Sequence, residues 1–214
     1  MMAEGRNSDD IVDYVKRGDI EGVMKCLDLG VDINQKDDNW NETLLGWAAE
    51  YERLEILKFL IYKGADINIP NAAGRTPLFY AALSGQNDAV KILLNNGADV
   101  SCRENSGMTT LHAAARSGSE ATILTLIDCI NTHDGNIDPV DDDGETPLSY
   151  AARRGFPDAV IKLCIAGSNV NGADPGGRPL IAAAGEGDKM IVEVLLDRGA
   201  NPNMPDNGRR LPIY

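Results

Sequence analysis

The residues best equipped for chemistry in this chain are two histidines, His112 and His133, four cysteines, and an acidic run, Asp141-Asp142-Asp143-Gly144-Glu145. A histidine serves as a base or metal ligand only where partners converge on it. His133 has Asp134 beside it, and two polar residues do not make a metal site, so it reads as an exposed loop histidine. The acidic run has the composition of a calcium loop but lacks the alternating ligand spacing and distal glutamate. It reads as a solvated acidic tip. Gly172-Ala173-Asp174-Pro175-Gly176-Gly177 is rich in glycine, yet no Lys-Ser/Thr follows it and no parallel strand precedes it, so it is no phosphate cradle. Cys26, Cys102, Cys129 and Cys164 show no C-x-x-C spacing, and Cys26 and Cys164 fall within apolar stripes. They read as reduced, intracellular core residues and not as disulfides or zinc ligands. No nucleophile, base and oxyanion set converges. The chain is expected to have no catalytic residues, no metal and no cofactor.

The elements that carry these residues recur. Thr76-Pro77-Leu78-Phe79-Tyr80-Ala81-Ala82 returns as Thr109-Thr110-Leu111-His112-Ala113-Ala114-Ala115 and as Thr146-Pro147-Leu148-Ser149-Tyr150-Ala151-Ala152, and upstream as Thr43-Leu44-Leu45-Gly46-Trp47-Ala48-Ala49. The threonines at 43, 76 and 109 lie 33 residues apart. A second string keeps the same phase: Gly30-Val31-Asp32-Ile33-Asn34, Gly64-Ala65-Asp66-Ile67-Asn68, Gly97-Ala98-Asp99-Val100-Ser101, Gly167-Ser168-Asn169-Val170-Asn171 and Gly199-Ala200-Asn201-Pro202-Asn203. A fixed period of this length means stacked small units, each needing neighbours to bury its apolar face.

Each unit predicts helix, tight turn, helix and projecting loop. Thr146 is a good N-cap because its hydroxyl can accept a free backbone N–H of the first turn, and Pro147 fits the first helical position, where a missing N–H costs nothing. Gly85, Gly118 and Gly155 end the first helices. Second helices show apolar stripes at helical spacing: Ile56, Leu57, Leu60 and Ile61; Ala89, Val90, Leu93 and Leu94; Ile191, Val192, Leu195 and Leu196. Asp9 or Asp10 is expected to cap a first helix through Ile11, Val12 and Val15.

Both strings resemble the ankyrin repeat, over roughly residues 8 to 214. The resemblance implies an all-α ankyrin-repeat solenoid of stacked helix-turn-helix units with projecting β-hairpin-like loops. The expected organisation is a disordered N-terminus, 1–7, then units at about 8–37, 38–70, 71–103, 104–140, 141–172 and 173–204, with a partial seventh at 205–214. His112 sits at the histidine of the T-P-L-H motif, where the resemblance implies a structural hydrogen bond between neighbouring loops. Leu60 to Asn68 fits a pattern that, in such repeats, can be a substrate for asparagine hydroxylation; the alternative is that Asn68 simply stabilises its turn.

Two departures from the period stand out. After Ile127 the expected glycine is absent and residues 128–136 carry four extra residues, read as a loop insertion that is either a binding feature or neutral. At the other end, Gly208-Arg209-Arg210-Leu211-Pro212-Ile213-Tyr214 copies the start of a seventh unit and stops. A fragment of a longer protein is the expectation, with Ile191, Val192 and Leu195 less covered at the open repeat.

The 33 acidic against 20 basic residues give a formal net charge of -13, which argues against binding nucleic acid or an anionic membrane. No apolar run approaches the about eighteen residues of a transmembrane helix. The resemblance implies non-catalytic recognition of a protein partner through loop tips and the concave helix face. The alternative is a substrate-targeting or regulatory fragment of a larger enzyme, receptor or secreted bacterial effector. The expected setting is intracellular, cytoplasmic or nuclear, or the host cytosol for an effector. The expected state is a monomer, with weak self-association arising at the open C-terminal repeat. Positions free of packing are expected to bind the partner: Trp40, Glu42, Tyr51, Arg75, Met108, Arg116, Arg153 and Arg154. Trp40 either anchors an interface or folds back on its loop. Arg116, Arg153 and Arg154 either grip an acidic peptide or pair with loop acids such as Asp142.

Overall fold

The computed structural model describes residues 8–133, 135–173, 178–205 and 208–212, so the expected disorder of 1–7 lies outside the described residues. Among the described residues there are twelve helices and no strand. The chain divides into two compact units, Met1–Asp99 and Val100–Tyr214.

The first unit holds α1 (Ser8–Arg17), α2 (Ile20–Asp28), α3 (Leu44–Glu50), α4 (Leu54–Tyr62), α5 (Pro77–Leu83) and α6 (Asn87–Asn95). Within it α3 packs between α1 and α5, while α4 packs between α2 and α6, giving an inner layer of first helices and an outer layer of second helices. The second unit repeats the plan with α7 (Thr110–Ser117), α8 (Glu120–Thr132), α9 (Pro147–Arg153), α10 (Pro157–Ile165), α11 (Pro179–Glu186) and α12 (Lys189–Asp197). There α9 lies between α7 and α11, and α10 between α8 and α12.

Local chemistry explains the helix starts. Thr43 Oγ1 accepts the N–H of Gly46 at 3.0 Å, and Thr146 Oγ1 that of Ser149 at 3.3 Å. Pro77 and Pro147 open their helices. Ala48, Ala81, Ala114 and Ala151 are fully buried, so the small residues of the first helices face the packed interior. Four of the intervening loops close like hairpins: the N–H groups of Asp37, Asn71, Glu104 and Asp141 donate to the carbonyls of Glu42, Arg75, Met108 and Glu145. The residue before each closing carbonyl takes a left-handed conformation, with Gly74, Gly107 and Gly144 in three loops and Asn41 in the fourth. The Asn41 loop is also one residue longer, which leaves Trp40 at an extra position on the tip.

Four expectations are corrected. Asp9 and Asp10 lie inside α1, which already begins at Ser8. The extra residues after Ile127 extend α8 to 13 residues where α10 has 9, so the insertion is a further helical turn followed by a short loop. Ile130 continues the buried stripe of Ile123, Leu126 and Ile127, and this apolar spacing keeps the segment helical. Asp141 is buried: its Oδ1 accepts the N–H groups of Asp143 and Glu145, and its Oδ2 the hydroxyl of Tyr150 at 2.8 Å. Only Asp142 and Asp143 form an exposed acidic tip. Ile191, Val192 and Leu195 are all buried, in helix α12 packed on α10 and α11.

Candidate functional site

The tip of the first unit is built around a buried carboxylate. Asp37 Oδ1 accepts the N–H groups of Trp40, at 2.8 Å, and Glu42, at 3.1 Å, while its Oδ2 accepts the indole N–H of Trp47 at 3.1 Å. With its backbone pinned this way, the Trp40 side chain stands in solvent, 63% exposed. Its carbonyl accepts the N–H of Ala72, which ties the tip to the next loop. Tyr51 lies beyond the other end of α3, exposed, with its ring centroid 6.0 Å from that of Trp47. Seven helical residues, about 10 Å of rise, stand between Trp40 and Tyr51, so the two aromatics belong to separate ends of the repeat. The Lys16 ammonium sits 3.6 Å from the Trp47 ring centroid, a cation–π contact on the same inner face.

Arg75 is half-buried, its guanidinium 5.5 Å from the Phe79 ring centroid. Glu42 and Met108 are buried, which corrects the expectation that their side chains are free of packing. Glu42 turns inward because Gly46 leaves a notch: a Cβ on that glycine would collide with the Glu42 carboxyl. Met108 occupies the equivalent place before Thr109, closing its hairpin with its carbonyl on the Glu104 N–H.

In the second unit Arg116, Arg153 and Arg154 are exposed, as their positions predict. Arg153 forms an ion pair with Glu145, so its partner is a loop acid, although not Asp142. Arg153 lines a cleft of about 470 Å³ together with Glu145, Arg178, Ile181, Glu186, Arg210 and Leu211. Neither Arg116 nor Arg154 lines it. Arg178 is buried, donating from Nη1 to the Asn171 carbonyl at 2.7 Å and from Nε to the Pro205 carbonyl at 3.3 Å. Arg178 and Arg210 are absent from the sequence-derived set. The signal was there: Gly177-Arg178-Pro179-Leu180 and Gly208-Arg209-Arg210-Leu211 put arginine where the other units have the capping threonine.

His112 is fully buried. Its Nδ1 accepts the Thr109 N–H at 3.1 Å and its Nε2 lies 3.0 Å from the Glu145 carbonyl. This pairing assigns a neutral imidazole protonated at Nε2. Burial pulls its pKa down, in keeping with that neutral form. The Tyr150 ring meets it edge-on at 5.7 Å. Both ring nitrogens are committed to backbone, leaving none for a substrate. His133 caps the C-terminus of α8, with Nδ1 2.8 Å from the Cys129 carbonyl. The four cysteines are free thiols, and burial raises the pKa of Cys129 and Cys164. Among the described residues no three His, Cys, Asp or Glu side chains are grouped to hold a metal ion, and no helix is long and apolar enough to cross a membrane.

This architecture has close counterparts. The family model described as "Ankyrin repeats (3 copies)" matches residues 11–104, 45–137 and 111–206. The ankyrin repeat protein nuc-2 of Neurospora crassa is 27% identical over 90% of this chain, which corresponds to 21% of that protein. Neurogenic locus notch homolog protein 1 of Xenopus tropicalis is 35% identical over 90% of the chain, corresponding to 6% of its own length. The chain therefore spans about a fifth or less of these curated relatives. The crystal structure of the human ASB11 ankyrin repeat domain superposes with a TM-score of 0.82 at 25% identity, covering 97% of this chain and 90% of that one. With paired helices, capped repeat starts and hairpin-like loops matched over nearly its whole length, the chain belongs to the ankyrin repeat family, whose members mediate protein–protein interaction.

Proposed function

We propose that this chain is a non-catalytic recognition module that holds a protein segment carrying acidic and aliphatic side chains. The observation behind this reading is the cleft of the second unit. Its walls carry Arg153, Arg178 and Arg210 beside the apolar Ile181 and Leu211. Two acids share the walls, Glu145, which pairs with Arg153, and Glu186, so the cleft keeps a net positive charge of one. Guanidinium groups bind carboxylates through paired N–H donors, and an apolar floor beside them rewards an aliphatic neighbour. Arg178 is already positioned by two backbone carbonyls, so little side-chain freedom is lost when a ligand arrives. Trp40 supplies a second contact on the first unit, an exposed aromatic on a pinned loop.

The test is a display library of short peptides screened against the whole chain. Selection should enrich acidic segments with aliphatic neighbours, and Arg153→Glu should weaken the selected peptides at least tenfold while Arg154→Glu changes little. Equal binding by both variants places recognition elsewhere. A second reading, a substrate-targeting or regulatory region within a larger protein, is favoured by the small share of each relative that the chain spans.

A further inference from the structure

Glu42 is fully buried, yet only one of its carboxyl oxygens is satisfied. Oε1 accepts the Thr43 N–H at 3.0 Å, whereas Oε2 has no hydrogen-bond partner. The carboxyl fills the notch over Gly46, and Gly46 stands three residues after Thr43, as His112 stands three after Thr109. There the imidazole accepts the Thr109 N–H with one nitrogen and meets the carbonyl of the next loop with the other. Glu42 therefore takes over the first task of the missing histidine, the N–H of the capping threonine. The second task calls for a donor, which a carboxyl possesses only when protonated.

We propose that Glu42 is a proton-operated latch: the neutral acid holds the Trp40 loop closed over Gly46, and the carboxylate loosens it. An ionised Glu42 would place a charge in a buried notch with one oxygen unpaired, and such a charge is relieved by admitting solvent. The segment the latch would release is Asp37 to Thr43, which contains the longer hairpin and the left-handed Asn41.

The surrounding charges reinforce this reading. Asp37 on the same loop and Glu50 on α3 both disfavour a second negative charge at Glu42. Lys16 on α1 and Arg75 before α5 exert their pull on Glu50. Tyr80 on α5 also faces Glu42, and its hydroxyl is held neutral by burial and by that glutamate. Asn71 favours the carboxylate and opposes the rise, with one amide hydrogen donated to Tyr80 Oη at 2.8 Å and the second left for Glu42. Burial is the largest effect and carries the Glu42 carboxyl from 4.5 to about 7, with the Thr43 N–H opposing it. The folded-state value is raised, so the stabilisation is complete below the unfolded value and is lost as pH climbs through about 7.

The experiment is a carbon-13 titration of the glutamate carboxyls of the whole chain from acid to mildly basic pH, with amide exchange followed in parallel. Glu42 is assigned by through-bond correlation in the wild type, so the midpoint does not depend on any variant folding. A midpoint near 7 is expected. The amides of Trp40, Glu42 and Thr43 should lose at least tenfold protection relative to that of Leu93 as the midpoint is passed. Glu42→Gln, permanently neutral and able to donate, should abolish that relative loss. A midpoint in the ordinary carboxylate range, protection that ignores the titration, or the same loss in Glu42→Gln would each overturn the latch.

Discussion

Asn68 Oδ1 accepts the backbone N–H of Asp99 at 2.9 Å, joining two loops that are 31 residues apart. Asn34 does the same for Asp66 at 2.8 Å in the first unit. In the second unit Asp138 does so for Asn169 and Asn171 for Asn201, each at 2.8 Å. The Asn side chain is thus a rung that transmits the position of one loop to the next, and this accounts for the Asp-Ile-Asn string. Asn68 also donates from Nδ2 to the Gly97 carbonyl at 3.2 Å.

Replacing Asn68 by alanine removes both bonds, and the Asp99 N–H is left to water. The rung is exposed, so the loss should be about 1 kcal/mol, in line with an ordinary hydrogen bond. Urea denaturation measures it. Asn68→Asp keeps the acceptor and should retain most of the stability, as Asp138 does in its own loop.

Leu93 is fully buried on α6 together with Val90 and Ala89. Leu93→Ala should cost about 2–5 kcal/mol, since the packed neighbours collapse only partly into the space. A melting curve that matches the wild type would remove Leu93 from the core and with it the phase of the second-helix stripe.

Much of this architecture was legible because the determinants are local. Thr146 and Pro147 specify a helix start by their own backbone chemistry, and Leu93 by its spacing. Burial of polar residues was less legible because it depends on a neighbour's absence. Glu42 looked like a free tip residue, and only the empty Cβ position of Gly46 admits it to the interior. Arg178 is hard to single out from the sequence because it stands at the helix-capping position, whose threonine in the other units serves to start the helix. The insertion after Ile127 was visible as a break in period, but Ile130 made it helix by adding to a stripe already in place.

Asn41 adopts φ 50, the left-handed region that glycine occupies in the three equivalent loops. Asparagine tolerates this conformation better than other side chains, yet some cost remains. Asn41→Gly relieves that strain and adds chain entropy to the unfolded state, so the net gain should be about 0.5 kcal/mol. Asn41→Val, β-branched at the same φ, should destabilise by more than 1 kcal/mol, roughly the cost of a left-handed non-glycine residue. If the valine variant melted with the wild type, the loop would not need the left-handed residue at that position.

His112 and Glu42 should bend the pH dependence of stability in opposite directions. Burial lowers the His112 pKa below its usual 6.5, so the unfolded chain binds its proton more readily than the folded one. Its stabilising contribution is complete above 6.5 and is lost as pH falls through that value toward the lower folded one. Protonation also removes the lone pair with which Nδ1 accepts the Thr109 N–H. Glu42 acts the other way, losing its contribution as pH rises toward about 7. The measurement is urea stability of the wild type and His112→Gln between mildly acidic and neutral pH. The wild type should lose stability to acid more steeply than His112→Gln, which does not titrate, even though the variant is less stable near neutrality. Parallel curves would mean that the imidazole reaches solvent and protonates in place, against the burial seen here.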